Sequence, residues 1–201
     1  FALAPFAASV VGMDLTLQML AEVENLRSAR SITNISFCVA DAHALPFPGG
    51  SFHRITCRRT AHHFSDIHQA LPEIQRVLPA GGRLIVDDRS VPEDDFVDAC
   101  MNEFDRYHDE SHIRQYRPTE WYRMLRTAGF AVEAVEPYTH HRPLTTLTDS
   151  VSPENVQHIH NRLNGLNAQQ QKKLSLTEKD EQLYSNHWYV TIAAVKQEEI
   201  P

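Results

Sequence analysis

The chain reads as an open α/β protein whose sheet is mainly parallel, with an antiparallel hairpin at one edge. Three observations predict this. The apolar runs VVGMD (residues 10–14), ISFCVAD (35–41) and RLIVDD (83–88) read as buried strands that finish on an acid. Helical segments fall between them, as in βαβ units joined by right-handed crossovers. Residues 130–136 and 188–195 are also strand-like. The stretch between them holds too little strand pattern for another βαβ unit, so these two should pair antiparallel. Open α/β sheets bind ligands beyond the carboxyl ends of their strands, where such acids can face a ribose or a ligand amine.

Each element has a local reason. Residues 1–9 look like the tail of a helix packed on a sheet. After strand 10–14, the Thr16 hydroxyl can cap a helix with Leu17, Leu20 and Val23 on one face. Strand 35–40 ends at Asp41, and Pro46, Pro48, Gly49 and Gly50 mark a turn into strand 52–57. Helix 65–78 turns Leu71, Ile74, Val77 and Leu78 inward, and Pro72 should kink or restart it. Ala80-Gly81-Gly82 closes that helix ahead of strand 83–87. Residues 91–116 are polar, acidic and His-rich, without the continuous apolar pattern of a core helix. Pro118 and Thr119 open a helix over 118–127, and residues 150–173 read as one polar helix. No linker stands out, so 1–201 reads as a single domain.

At 201 residues the chain can bury a sizeable core. A formal net charge of -7 argues against a nucleic-acid binder, which normally carries a basic face. No apolar run approaches the length of a membrane span. Cys38, Cys57 and Cys100 have no paired spacing and read as reduced thiols, which favours a cytoplasmic location. A homodimer is left open.

The motifs VVGMDLT (10–16), VADAHALPFPGGSFHRITCRRTAHHF (39–64) and EIQRVLPAGGRLIVDD (73–88) occur in that order. In this the chain resembles the class I S-adenosylmethionine-dependent methyltransferases, most closely the ubiquinone/menaquinone-biosynthesis C-methyltransferase branch. The resemblance covers the first half well and echoes weakly in EWYRMLRTAGFAVE (120–133) and HWYVTIAAVK (187–196). It implies a Rossmann-like fold and S-adenosyl-L-methionine as cofactor. Residues 1–90 would form the cofactor-binding half, and 91–128 and 145–186 a cap over a small-molecule methyl acceptor. It also implies a strand and glycine-rich loop ahead of Phe1, so the chain reads as truncated at its N-terminus.

Residue by residue, the resemblance gives Asp14, beside Leu15, the two ribose hydroxyls, which a carboxylate can accept together. The plain alternative is a turn Asp serving the next helix. Asp41 and Ala42 would meet the adenine edge, with His43 packing against the ring; Asp41 is equally a turn former before Pro46. Arg58, Arg59 and Thr60 would line the wall near the methionine moiety, although adjacent Arg residues are commonly a solvated pair.

Methyl transfer depends on alignment and a dry site, and an acceptor hydroxyl or carbon acid also needs a base. His62 and His63, following the third strand, are the candidates for that base; the alternative is two polar residues opening a helix. Asp88, Arg89 and Ser90 are secondary candidates. Asp105, His108, Asp109 and His112 have the spacing of one helical face, but neither H-E-x-x-H nor a Cys pair at zinc spacing occurs, and no metal is expected. Phe104, Tyr107, Tyr116, Trp121 and Tyr122 offer an acceptor wall, or simply pack the cap; residues 94–122 would form a mobile cover. Two other functions compete: a non-catalytic binding or dimerisation module, and an NAD-dependent dehydrogenase, against which the absence of G-x-G-x-x-G counts.

Overall fold

A computed structural model describes residues 1–198. Strand β1 (Val10–Asp14) leads through helix α1 (Leu17–Ala29) to β2 (Ile35–Val39), and the two strands pair parallel. Strand β3 (Arg54–Arg58), helix α2 (Ile67–Arg76) and β4 (Arg83–Ser90) form a second parallel unit. Helices α3 (Asp95–His108) and α4 (Pro118–Thr127) then precede β5 (Phe130–Pro143). Helices α5 (Pro153–Asn164) and α6 (Ala168–Lys173), the short β6 (Thr177–Lys179) and β7 (Gln182–Lys196) complete the chain.

Strands β5 and β7 pair antiparallel, as expected, but β7 also runs antiparallel to β4, giving the order β3-β4-β7-β5. The sheet is therefore mixed. Strands β1 and β2 form a separate ladder; among the described residues neither β1 nor β3 has a second partner strand. The hairpin is longer than its apolar pattern suggested, because paired polar residues extend β5 to Pro143.

Alternation along β4 sets the core. Leu84, Val86, Asp88 and Ser90 share one buried face, on which Leu84 and Val86 join Leu71 and Ile74 of α2, Trp121 and Leu125 of α4, and Val190 and Ile192 of β7. A second cluster joins Val97, Met101 and Phe104 of α3 to Ile159 and Leu163 of α5 and to Leu144 and Leu147.

Several local expectations are corrected. Residues 1–9 hold a short 3-10 turn, Ala4–Phe6, tied by the Asn34 amide to the Ala4 and Ala7 carbonyls at 2.8 and 3.0 Å. Thr16 does not cap α1 through its side chain; its N–H and hydroxyl both donate to Asp14 Oδ1 at 2.8 Å. Helix α2 passes Pro72 without restarting, since its buried stripe on the core offsets one lost hydrogen bond. Residues 150–173 form two helices, because Gly165 closes α5 and Asn167 makes a capping box with Gln170 at the start of α6. Residues 94–122 hold more core than their polarity suggested, because α3 buries Val97, Cys100, Met101 and Phe104. Its pattern was masked in sequence by Asp98, Asn102 and Asp105, which are buried too but face polar or charged partners. Burial pushes the Cys57 and Cys100 thiols up to about 12, and all three cysteines are free.

Candidate active site

The site lies where β3 and β4 end. After β3, Arg59 takes a positive φ of 54° and the chain makes a 3-10 turn, Ala61–His63, that brings His62 back over β4. Asp88 continues the face of Leu84 and Val86, so its carboxylate points into the protein, where it is fully buried. His62 Nδ1 lies 2.5 Å from Asp88 Oδ1, and the His62 N–H donates to Oδ2 at 3.1 Å. The Arg89 N–H also donates to Oδ1, at 2.7 Å. Both carboxylate oxygens thus accept hydrogen bonds, which makes Nδ1 the proton-bearing nitrogen. Nε2 has no partner among the described residues and is free to exchange a proton.

A polar shell surrounds this pair. Arg89 Nη2 lies 2.8 Å from Asp105 Oδ1, and Gln115 Nε2 donates to Asp105 Oδ2. Burial raises the Asp105 pKa against the opposing pull of Arg89. Asn102 Oδ1 accepts from the Gln115 N–H at 2.7 Å, so it must also accept from His112 Nε2 at 3.1 Å. His112 is therefore protonated at Nε2, with Nδ1 bare. His62, His63, Arg89, Asp105, His108, Asp109 and His112 enclose a cavity of about 110 Å³.

His63 is held differently. Its Nδ1 sits 3.1 Å from the Ser111 carbonyl and 3.0 Å from the Ser111 hydroxyl, and its ring is partly open to solvent. The His62 and His63 rings are 4.0 Å apart, but only His62 has a buried carboxylate behind it. The expected helical face of Asp105, His108, Asp109 and His112 is broken because α3 ends at His108, which leaves Asp109 and His112 beyond the helix. Trp121 and Phe104 lie in the two hydrophobic clusters, not on an acceptor wall.

The residues expected at a cofactor separate into two groups. Asp14 and Asp41 stand at the C-terminal ends of the paired strands β1 and β2. Asp14 Oδ1 is taken by Thr16, so the turn role is real; Oδ2 has no partner among the described residues. Leu15 is 66% exposed beside it. Asp41 Oδ1 accepts from the His43 N–H at 2.9 Å and lies 2.5 Å from His43 Nδ1, and these bonds lower its pKa. His43 Nε2 accepts from the Asp66 N–H at 3.1 Å, so this imidazole ties the Ala42 loop to the start of α2.

Arg58, Arg59 and Thr60 belong to the other sheet, where both guanidinium groups reach Asp87 Oδ2, at 3.3 and 3.5 Å. The Arg58 side chain is 76% exposed. Arg59 lies 3.8 Å over the Tyr189 ring and donates to the Tyr138 hydroxyl at 2.9 Å, while exposed Thr60 donates to the Arg58 carbonyl. Sequence reading missed Asp88 as the partner of His62, and missed His112, Asn102 and Gln115 entirely. The period-two alternation of RLIVDDRS was the available signal for Asp88.

Residues 1–86 match the family model described as a methyltransferase domain. Over 137 residues the chain is 34% identical to the Bacillus subtilis protein named "Uncharacterized methyltransferase YcgJ", covering 68% of this chain and 54% of that protein. The crystal structure of YcgJ superposes with a TM-score of 0.91 at 27% identity, covering 98% of this chain and 86% of that one. The chain is similar to methyltransferases, and its residues 1–86 carry the methyltransferase-domain match. A 79-residue stretch is 44% identical to the demethylmenaquinone methyltransferase of Thermus thermophilus, covering 39% of this chain and 36% of the relative. A geranyl diphosphate methyltransferase in complex with SAM shares the methyltransferase fold at a TM-score of 0.62 and 16% identity. The sequence match thus reaches about half of YcgJ's own length. Among the described residues no helix is long and apolar enough to cross a membrane.

Two buried histidines, His112 at the site and His187 on β7, give the fold a pH signature. Burial, reinforced by nearby cations, pushes His112 and His187 down to about 3. Their folded values lie below the unfolded value near 6.5, so between these limits the unfolded chain binds more protons. Stability from these two groups is complete above pH ~6.5 and is lost as pH falls toward 3. Asp105, whose pKa is raised, works in the opposite sense. Urea midpoints should therefore start to fall below pH ~6.5, before the unfolded chain's carboxylates begin to bind protons near pH ~4. A midpoint unchanged down to pH 5 would contradict the assignment.

Proposed function

We propose that this chain serves an S-adenosylmethionine-dependent methyltransferase acting on a small or medium organic acceptor, with His62 as the base. The observation that carries the reading is the His62–Asp88 pair at the C-terminal ends of β3 and β4, in a chain that carries this domain match. The sulfonium cofactor supplies an electrophilic methyl group. Asp14 would hold its ribose hydroxyls through Oδ2, Leu15 would give it apolar surface, and the Asp41–His43 loop would hold its adenine. This donor set fits an adenosyl group: an unpartnered carboxylate oxygen and an exposed apolar side chain adjoin at one strand end.

Asp88 fixes the His62 tautomer and orientation, so Nε2 can take the proton of the acceptor's nucleophilic atom. Closing that atom into a small cavity strengthens the alignment. Segments 91–128 and 145–186 supply the acceptor wall, and three free thiols support a cytoplasmic location.

Titration of the purified protein tests the reading against its alternatives. Binding of S-adenosylhomocysteine but not NAD is expected; NAD alone would indicate a dehydrogenase, and neither a non-catalytic module. Asp14→Ala should weaken S-adenosylhomocysteine binding by about 1.5–3 kcal/mol per lost charge-assisted hydrogen bond without unfolding the chain. Unchanged calorimetric affinity in a folded variant would remove Asp14 from the site.

A further inference from the structure

The shape and chemistry of the cavity beside His62 narrow the acceptor class, an inference that rests on the methyltransferase reading. Two cavities adjoin there. The inner one, about 110 Å³, holds His62, Arg89 and His112. The outer one, about 300 Å³, is lined by Tyr107, His108, Asp109, Glu110, residues 150–152 and Asn155. His108 and Asp109 belong to both walls, so the two cavities are direct neighbours.

A cavity of roughly 150 Å³ accommodates a benzene ring, so the inner space admits little more than one ring edge or a small polar group. Two of its wall nitrogens can accept: His62 Nε2 and His112 Nδ1 have no partner among the described residues, on rings whose centroids are 5.8 Å apart. Two hydroxyl groups on neighbouring carbons can donate to both. The outer cavity is polar along most of its wall, with Val151 as its one aliphatic side chain. A long hydrocarbon laid there would strip water from Asp109, Glu110 and Asn155 and return no hydrogen bond, a cost of about 1–3 kcal/mol for each stranded polar group.

We infer that the acceptor is a compact, hydrogen-bonding phenol or enol that places an acidic hydroxyl at His62 and carries no long apolar chain. This departs from what similarity to a demethylmenaquinone methyltransferase would suggest. A phenolic hydroxyl also suits an imidazole base better than an alcohol does, because its proton is far more acidic.

The test is calorimetry on the purified protein saturated with S-adenosylhomocysteine, using catechol and a geranyl-substituted hydroquinone as probes. Catechol should bind at least about tenfold more tightly than the geranyl compound. Val151→Trp, which fills the outer cavity, and His62→Gln should each weaken a catechol that carries a polar side chain by a similar factor, with S-adenosylhomocysteine affinity unchanged. Tighter binding of the geranyl compound, or no binding of either probe, overturns the inference while the methyltransferase reading stands. Failure to bind S-adenosylhomocysteine overturns that reading and the inference with it.

Discussion

Replacing His62 with glutamine should lower turnover by about 10²–10⁴-fold while S-adenosylhomocysteine affinity stays near that of the parent. The His62 backbone N–H bond to Asp88 survives the change, as do the bonds from Ile113 and Arg114 N–H groups to the His62 carbonyl at 2.9 and 3.1 Å. The local fold therefore has its own support, and the variant isolates the imidazole. Asp88→Asn acts on the same pair from the other side. Asp88 accepts from three N–H groups, and an amide turns one of its oxygens into a donor facing donors. Leaving a buried polar group without its partner costs about 1–3 kcal/mol, so Asp88→Asn should lose both turnover and stability. If His62→Gln keeps the parent kcat in a steady-state assay, the base is elsewhere or the acceptor needs none.

The largest effect on stability alone is expected from Phe130→Ala. Phe130 opens β5 immediately after Gly129, whose φ of 85° turns the chain from α4 into the sheet. Its ring is fully buried in the cluster shared with Trp121 and Leu125 of α4 and Ile192 of β7. Truncating a buried Phe removes transfer free energy and leaves a cavity, at about 3–5 kcal/mol. Urea unfolding should show a lower midpoint at an unchanged slope. A midpoint equal to that of the parent would mean that β5 and α4 are not packed as described.

What was legible in the sequence follows from periodicity. The runs ending at Asp14, Asp41 and Asp88 gave the parallel units, and the two strand-like segments near the C-terminus gave the hairpin. The position of β7 between β4 and β5 was not legible, because local pattern does not encode which strands become neighbours. Helix α3 was misjudged for a related reason. Its buried Asp98, Asn102 and Asp105 look like solvent-facing residues until Arg114, Gln115 and Arg89 arrive from elsewhere to face them.

The site divides along the same line. His62 was a candidate because it follows a strand end, yet nothing near it in sequence separated it from His63. The distinction comes from Asp88, 26 positions away, whose direction is set by strand alternation. Asp14 could be read as a ribose carboxylate or as a turn residue, and Thr16 shows that the second role uses only one of its oxygens. Arg58 and Arg59 were grouped by adjacency, and both reach Asp87 Oδ2, although the Arg58 side chain is largely in solvent while Arg59 lies over Tyr189.

A crystal structure of the protein with S-adenosylhomocysteine bound would test the central claim most directly. The account predicts ribose hydroxyls on Asp14, adenine at the Asp41–His43 loop, and the sulfur facing the cavity into which His62 Nε2 opens. Density for the ligand away from the ends of β1 and β2, or a sulfur separated from His62 by the sheet, would contradict it.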